Sequence, residues 1–287
     1  MTIDFWLLDL NFEHYQGKPT IWLWGITRQK TRVLLIDSYE PYFYLLPPSR
    51  QNIEQLKQQL DTEKPHSSIS RTVIETKKDL SAEKQVVKVF CNDSESLEKC
   101  ARATSKSVEE SKAYEHDLRP ATKYQNDHEI RPFQWYRVEA DQADLDPSQY
   151  SVDKALIATS HPAPTTTKDP PALRTLGFSL LSISEAGSPS PARDPIRLIA
   201  WRCNDGKHGL LEAAAGSDEK ILGSFGQIVT GYNPDVMFTF GGNTQHWPYL
   251  TRRAEKTRKT LAIGRGNVPP HQSLYGHFSI TGRANID

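Results

Sequence analysis

From Leu173 onward the hydrophobic period switches between strand and helix in a fixed order, and that order limits the fold more than any other feature. Leu173 to Leu181 reads as an apolar strand. A Ser/Pro loop from Ser188 to Pro195 separates it from a second strand, Ile196 to Trp201. Asn204-Asp205-Gly206 is a hairpin turn into a third strand, His208 to Glu212. Ser217, with acidic residues behind it, is the expected cap of a helix running to about Val229. Asn233-Pro234-Asp235 then turns the chain into a buried, parallel-type strand, Val236 to Phe240. Trp247-Pro248-Tyr249-Leu250 opens a basic amphipathic helix. Three antiparallel strands, a helix, a parallel strand and a second helix make a mixed sheet.

The first ~45 residues read as an antiparallel meander. Phe5 to Leu10, Thr20 to Trp24, Arg32 to Ile36 and Tyr39 to Leu46 are apolar runs, with a turn near Gln16-Gly17. Ile53, Leu56 and Leu60 fall at helical spacing within Gln51 to Leu60. Val86 to Phe90 is another strand. A helix from about Glu95 to Ser105 follows, with Ser94 as its expected cap. These elements form a small α+β module ending near residue 130. Between Asp141 and Pro171, Pro and Thr clusters read as an extended connection.

The 287 residues allow two domains. Formal net charge is zero, so nucleic-acid contact has to come from a local basic patch. Cys91, Cys100 and Cys203 lack metal-ligand spacing and read as buried thiols of a reducing cytoplasm. The amino terminus has no basic n-region of a signal peptide, and no apolar run reaches membrane-spanning length.

Several long words in this sequence resemble the archaeal branch of the family B DNA polymerases. Phe178-Ser179-Leu180-Leu181 stands where the family's first exonuclease motif has Phe-Asp-Ile-Glu. Tyr114-Glu115-His116-Asp117 and Ile130 to Tyr136 resemble the segment leaving the N-terminal domain. Asn233-Pro234-Asp235-Val236 resembles the approach to the second motif, and Trp247-Pro248-Tyr249-Leu250 resembles its end. Gly264-Arg265 and Tyr275 to Asp287 resemble the strands before the third. The resemblance implies an α+β and α/β chain: an N-terminal polymerase-like domain (1–130), a connecting segment (131–171) and a truncated, ribonuclease H-like exonuclease domain (172–287).

The same resemblance marks what differs. The expected aspartate and glutamate of the first motif are Ser179 and Leu181, and the aspartate of the second is His246. Two-metal hydrolysis needs clustered carboxylates to hold its cations, and a lone imidazole suits hard Mg²⁺ poorly. The expectation is therefore a chain that is not an enzyme alone, with no metal and no cofactor, Mg²⁺ belonging to active relatives. One alternative is a nuclease with ligands relocated to some of Asp194, Asp205, Asp235, His246 and Asp287. Another is the N-terminal half of a split polymerase completed by a polymerase-domain polypeptide, and a third is a gene fragment.

Expected partners are DNA, single-stranded or primer-template, and that second polypeptide, with no membrane and a cytoplasmic location. Arg252, Arg253, Lys256, Lys259 and Arg265 are the candidate DNA contacts; on a helix Arg252, Lys256 and Lys259 share a face. Pro41 and Val86 fall where archaeal relatives shape a pocket for deaminated bases, although Glu83 replaces a proline expected there.

Overall fold

The computed structural model describes residues 1–48, 51–79, 82–185, 187–213, 217–273 and 275–287. Three strands open the chain: β1 (Thr2–Tyr15), β2 (Lys18–Thr27) and β3 (Arg32–Ser38). Next come β4 (Tyr42–Leu46), α1 (Ile53–Glu63), β5 (Ile69–Asp79), β6 (Ala82–Cys91), α2 (Leu97–Ser107) and β7 (Lys112–Tyr114). Helix α3 (Pro120–Asp127) precedes β8 (Trp135–Gln142), β9 (Lys154–Ala158) and β10 (Ala163–Pro164). The last part holds β11 (Thr175–Ser182), β12 (Ile196–Cys203), β13 (His208–Glu212), α4 (Glu219–Tyr232) and β14 (Val236–Phe238). It ends with α5 (Trp247–Lys256), β15 (His271–Gln272), β16 (Phe278–Ser279) and β17 (Ala284–Ile286).

The chain divides into two compact units. One comprises Phe12–Trp22 and Asp37–Ile130. Its sheet has the order β5-β6-β4-β7 with β4, β6 and β7 antiparallel, the split β-α-β-β-α-β arrangement. One face packs Phe43, Leu45, Val87 and Val89 against Leu56 and Leu60 of α1 and Leu97 and Ala101 of α2. Strand β5 escapes a reading by apolar runs because Arg71, Thr72, Glu75, Thr76 and Lys77 interrupt it. The cap of α2 is Ser96 rather than Ser94, and the Asp93 carboxylate accepts the Ser96 N–H at 2.6 Å.

The other unit comprises Met1–Asn11, Leu23–Ile36 and Arg131–Asp287. In it β1, β2, β3, β9 and β8 close into a ring, because β8 also pairs antiparallel with β1. Strands β3 and β9 are parallel. Residues 131–171, expected as an extended connection, thus supply two ring strands and β10. The alternation of buried Tyr136, Val138 and Ala140 with exposed Arg137 and Glu139 is a half-buried strand pattern that the surrounding prolines obscured.

The second sheet of this unit has the order β13-β12-β11-β14-β17, with β14 parallel to both neighbours. Leu176, Phe178, Ile199 and Met237 on one face pack against Phe225 and Val229 of α4 and Trp247 and Leu250 of α5. The Phe178 ring lies 5.0 Å from Phe225 and 4.8 Å, edge-on, from Trp247. Contacts of this kind are each worth about 0.5–1.5 kcal/mol beyond the area they bury.

A buried charge cluster joins the ring to this sheet. Asp235, just before β14, accepts both Arg32 Nε–H and Nη2–H at 2.9 Å. It also accepts Arg265 Nη2–H and the Arg174 backbone N–H, each at 2.8 Å. Arg265 is fully buried and donates also to the Gly282 carbonyl at 2.8 Å. Gly282 has φ +74, and a Cβ there would lie 2.8 Å from the Arg265 side chain. Only glycine leaves that guanidinium its path. Asp9 of β1 accepts the Gly282 N–H at 2.7 Å, and burial pushes its carboxyl up to about 6.

Asp235→Asn keeps the shape and removes the charge that two buried guanidinia face. Unfolding in guanidinium chloride should show a loss of about 3–5 kcal/mol. A change under about 1 kcal/mol would show that the cluster holds the sheet only weakly.

Candidate functional site

Strand alternation places Ser179 and Leu181 on the face of the second sheet that α4 and α5 do not cover. Their ladder partners agree. Ser179 is opposite Ala200, which faces Leu210, while Gly177 is opposite Phe238, which faces Ile286. Leu181, Leu210, Phe238 and Ile286 are about half-exposed there, making an open apolar face.

His246 lies where the chain enters α5. Gly242 to His246 forms a single turn of π-helix, the wide helical form that recurs at functional sites. Gly241 takes φ +70, and a Cβ on Gly242 would lie 2.6 Å from Thr239, so both positions need glycine. His246 is buried beside Phe178, and its Nδ1 is hydrogen-bonded to Thr239 Oγ1. Burial pushes its imidazole below the ordinary value, which leaves it neutral at pH 7.

Asp287 accepts the Gly242 N–H at 2.7 Å and the Asn243 N–H at 3.1 Å, so its carboxylate fastens the start of the π turn. These N–H groups hold its carboxyl below the ordinary value.

Two clefts flank α5. One, of about 540 Å³, is lined by Leu181, Pro191, Gln245, His246, Tyr249 and Arg252 among others. The other, of about 820 Å³, is lined by Thr244, Arg252, Tyr275, His277 and Asp287 among others. Thr244, Pro248 and Arg252 border both. Leu181 and His246 therefore meet in one cleft, whereas Ser179 is not among its lining residues.

Divalent cations do not fit these positions: a hydroxyl, an alkyl chain and an imidazole already bonded to Thr239 offer no carboxylate oxygen. The set of relocated ligands does not converge either. Asp194 pairs with Arg193, Asp205 with Lys207 and Asp235 with Arg32 and Arg265, and no three such groups could hold a metal among the described residues.

The five expected DNA contacts separate. Arg253 is buried and makes a bidentate bond to Asp218, at 2.7 and 2.8 Å, while Asp218 also accepts the Ile196 N–H. Asp218 also holds the cap position of α4, where Ser217 was expected, but its carboxylate is taken up by Arg253 and Ile196 and not by the helix. Arg265 belongs to the Asp235 cluster. Both are corrected to structural residues, because a guanidinium sealed on a carboxylate has no face left for a phosphate. Lys256 bonds the Ala192 carbonyl, and Lys259, beyond the end of α5, pairs with Glu219 at 2.8 Å. Arg252 borders both clefts. Helical spacing alone could not sort these residues, since it does not reveal which side of α5 meets α4.

Pro41 and Val86 lie in the other unit. Val86 packs with Tyr42, Tyr44 and Phe90 on the face of its sheet away from α1 and α2, and Pro41 is buried beside them in sequence. Lys88 Nζ lies 4.0 Å from the Tyr42 ring centre and the Arg71 guanidinium 3.5 Å from that of Phe90. Glu83 is exposed. The cation-capped aromatics were legible only as a strand.

The description "DNA polymerase family B, exonuclease domain" matches residues 111–215. DNA polymerase 2 of Aeropyrum pernix is 30% identical over 99% of this chain and 36% of its own length. DNA polymerase 3 of Saccharolobus solfataricus is 27% identical over 100% of the chain and 37% of its own. The family B DNA polymerase of Pyrobaculum calidifontis has the same fold over 99% of the chain, with a TM-score of 0.86 and 28% identity.

The chain is a relative of the archaeal family B DNA polymerases.

It spans little more than a third of the length of the relatives it matches, 36% and 37% for these two. The expectation that it is not an enzyme is corrected by this finding. The proteins that match it from end to end are named DNA polymerases, and the replacements at Ser179, Leu181 and His246 concern three positions only. Among the described residues, no helix is long and apolar enough to cross a membrane.

Truncating Arg253 and Arg252 in turn separates their roles. Arg253→Ala strands the buried Asp218 and should cost about 3–5 kcal/mol in denaturant unfolding. Arg252→Ala should stay within about 0.5 kcal/mol of the parent. Equal effects would contradict the assignment.

Proposed function

We propose that this chain is the N-terminal and exonuclease-like part of a DNA-directed DNA polymerase, and that it holds single-stranded DNA along α5. The observation that carries the reading is that Arg252 and Tyr275 line one cleft, Tyr275 being 86% exposed. Single strands are held by cations along the phosphates and by aromatic faces on which bases stack. Phe240, 96% exposed, offers a second such ring in the loop before the π turn. Polymerase chemistry then belongs to the remaining length that the relatives possess and this chain does not span.

Fluorescence anisotropy with a labelled single strand and a labelled primer-template tests it. Tyr275→Ala should weaken single-strand binding about fivefold or more, since a stacked base contributes about 1–3 kcal/mol. Arg252→Ala should lower the slope of log K against log salt by about 0.7. Parent-like binding by both variants, or none by the parent, would sink the reading.

A second reading, that the polymerase portion is a separate polypeptide, draws support from the open apolar face of Leu181, Leu210, Phe238 and Ile286. Contiguous apolar surface of this kind marks interaction sites. Co-expression with a polypeptide bearing the polymerase carboxylates should yield a complex that Phe238→Asp weakens. Co-purification unaffected by Phe238→Asp, or no complex at all, counts against it.

A further inference from the structure

The unit built on β4 to β7 holds two thiols whose proximity plays no part in DNA contact. Cys91 closes β6, Cys100 lies in the first turns of α2, and their sulfurs are 3.3 Å apart. Both are buried in the core between sheet and helices, with Phe43, Leu45, Val89 and Leu97 around them. The backbone on both sides is fixed: the Cys91 N–H bonds the Pro41 carbonyl at 2.7 Å, and the Cys100 N–H bonds that of Ser96 at 2.8 Å. Between them, Asp93 accepts the Ser96 N–H and hydroxyl, which holds the short connection in shape.

We propose that Cys91 and Cys100 form a dithiol that closes reversibly to a disulfide, tying the end of β6 to α2. The sulfurs need to approach by about 1.2 Å to reach a bond length of about 2.05 Å, a movement within reach of side-chain torsion and a small shift of the helix. Small apolar packing alone asks for no thiol pair; Cys203, the third cysteine, is buried on β12 and has no thiol partner among the described residues.

The oxidant is of the peroxide class. The Cys91 Sγ–H donates to Cys100 Sγ, which holds the Cys100 thiol below its ordinary value and pushes that of Cys91 up. Cys100 is therefore the sulfur that meets peroxide. Its thiolate attacks one peroxide oxygen, the O–O bond breaks, and hydroxide leaves a sulfenic acid behind. The Cys91 sulfur then attacks that sulfenic sulfur, the S–O bond breaks, and hydroxide leaves. With the two thiol protons, both hydroxides become water. Two thiols and one hydrogen peroxide give one disulfide and two waters, the sulfurs oxidised and the peroxide reduced.

The test uses the whole 287-residue protein, treated folded with hydrogen peroxide, then unfolded and alkylated. One thiol, Cys203, should take up alkylating reagent, against three before oxidation. A non-reducing peptide map should show the Cys91–Cys100 link. Closing so short a loop should raise the melting temperature by about 4 °C or more, an effect reversed by dithiothreitol and absent from Cys91→Ser and Cys100→Ser. Three alkylated thiols after oxidation, a link through Cys203, or a link that forms only in denaturant would each overturn the proposal. These outcomes are read on the parent protein, so they decide the matter even if the variants fail to fold.

Discussion

Asp235 accepts four N–H bonds where water does not reach, and the ring and the second sheet are joined through it. Arg32 starts β3, Arg174 leads into β11, and Arg265 precedes the β15–β16 hairpin, so one carboxylate sets three segments distant in sequence. Desolvating these ions is costly, and the cost is offset only because nearly every charge has a counter-charge or a carbonyl in line. Arg283 shows the second case: it donates to the Ile263 carbonyl and to the Asn233 side chain. Burial still pushes the guanidinia of Arg265 and Arg283 below their ordinary values. Such a cluster fixes geometry more than it adds stability, and the geometry it fixes is the approach of β14 to β11.

The elements of the second sheet were legible because each has one buried face and a plain period. The Asn204-Asp205-Gly206 turn and the parallel strand after Pro234 fall where their residue types require. The charge cluster was not legible, since Asp235 and Arg265 look like any polar residue near a turn until the chain brings them together. Arg265 gave one usable sign: it follows Leu261-Ala262-Ile263-Gly264, an apolar run in which an arginine has to be either exposed or paired. The shifted caps of α2 and α4 share one feature: neither Ser96 nor Asp218 bonds a helix N–H with its side chain, so capping preference could not place them.

The site divides along similar lines. The direction of Ser179 and Leu181 follows from strand alternation and could be read in advance. The setting of His246 could not, because it depends on Thr239 and on a wide helical turn that no periodicity announces. The replaced carboxylates carry information about three positions, whereas the comparisons bear on the entire length. That difference of scope is why the expectation that the chain is not an enzyme gives way.

The cleft beside α5 takes its shape from bonds within the chain. Facing carboxylates repel one another unless cations sit between them, so a wall built from them depends on bound metal. Here the wall is closed by bonds that need none. Asp287 holds Gly242 and Asn243, Thr239 holds His246, and Trp247 Nε1 donates to Asn285 at 3.1 Å. Arg253 on Asp218 anchors the far end of α5. With those contacts made, Arg252 and the ring of Tyr275 are presented on a surface held in shape by bonds within the chain.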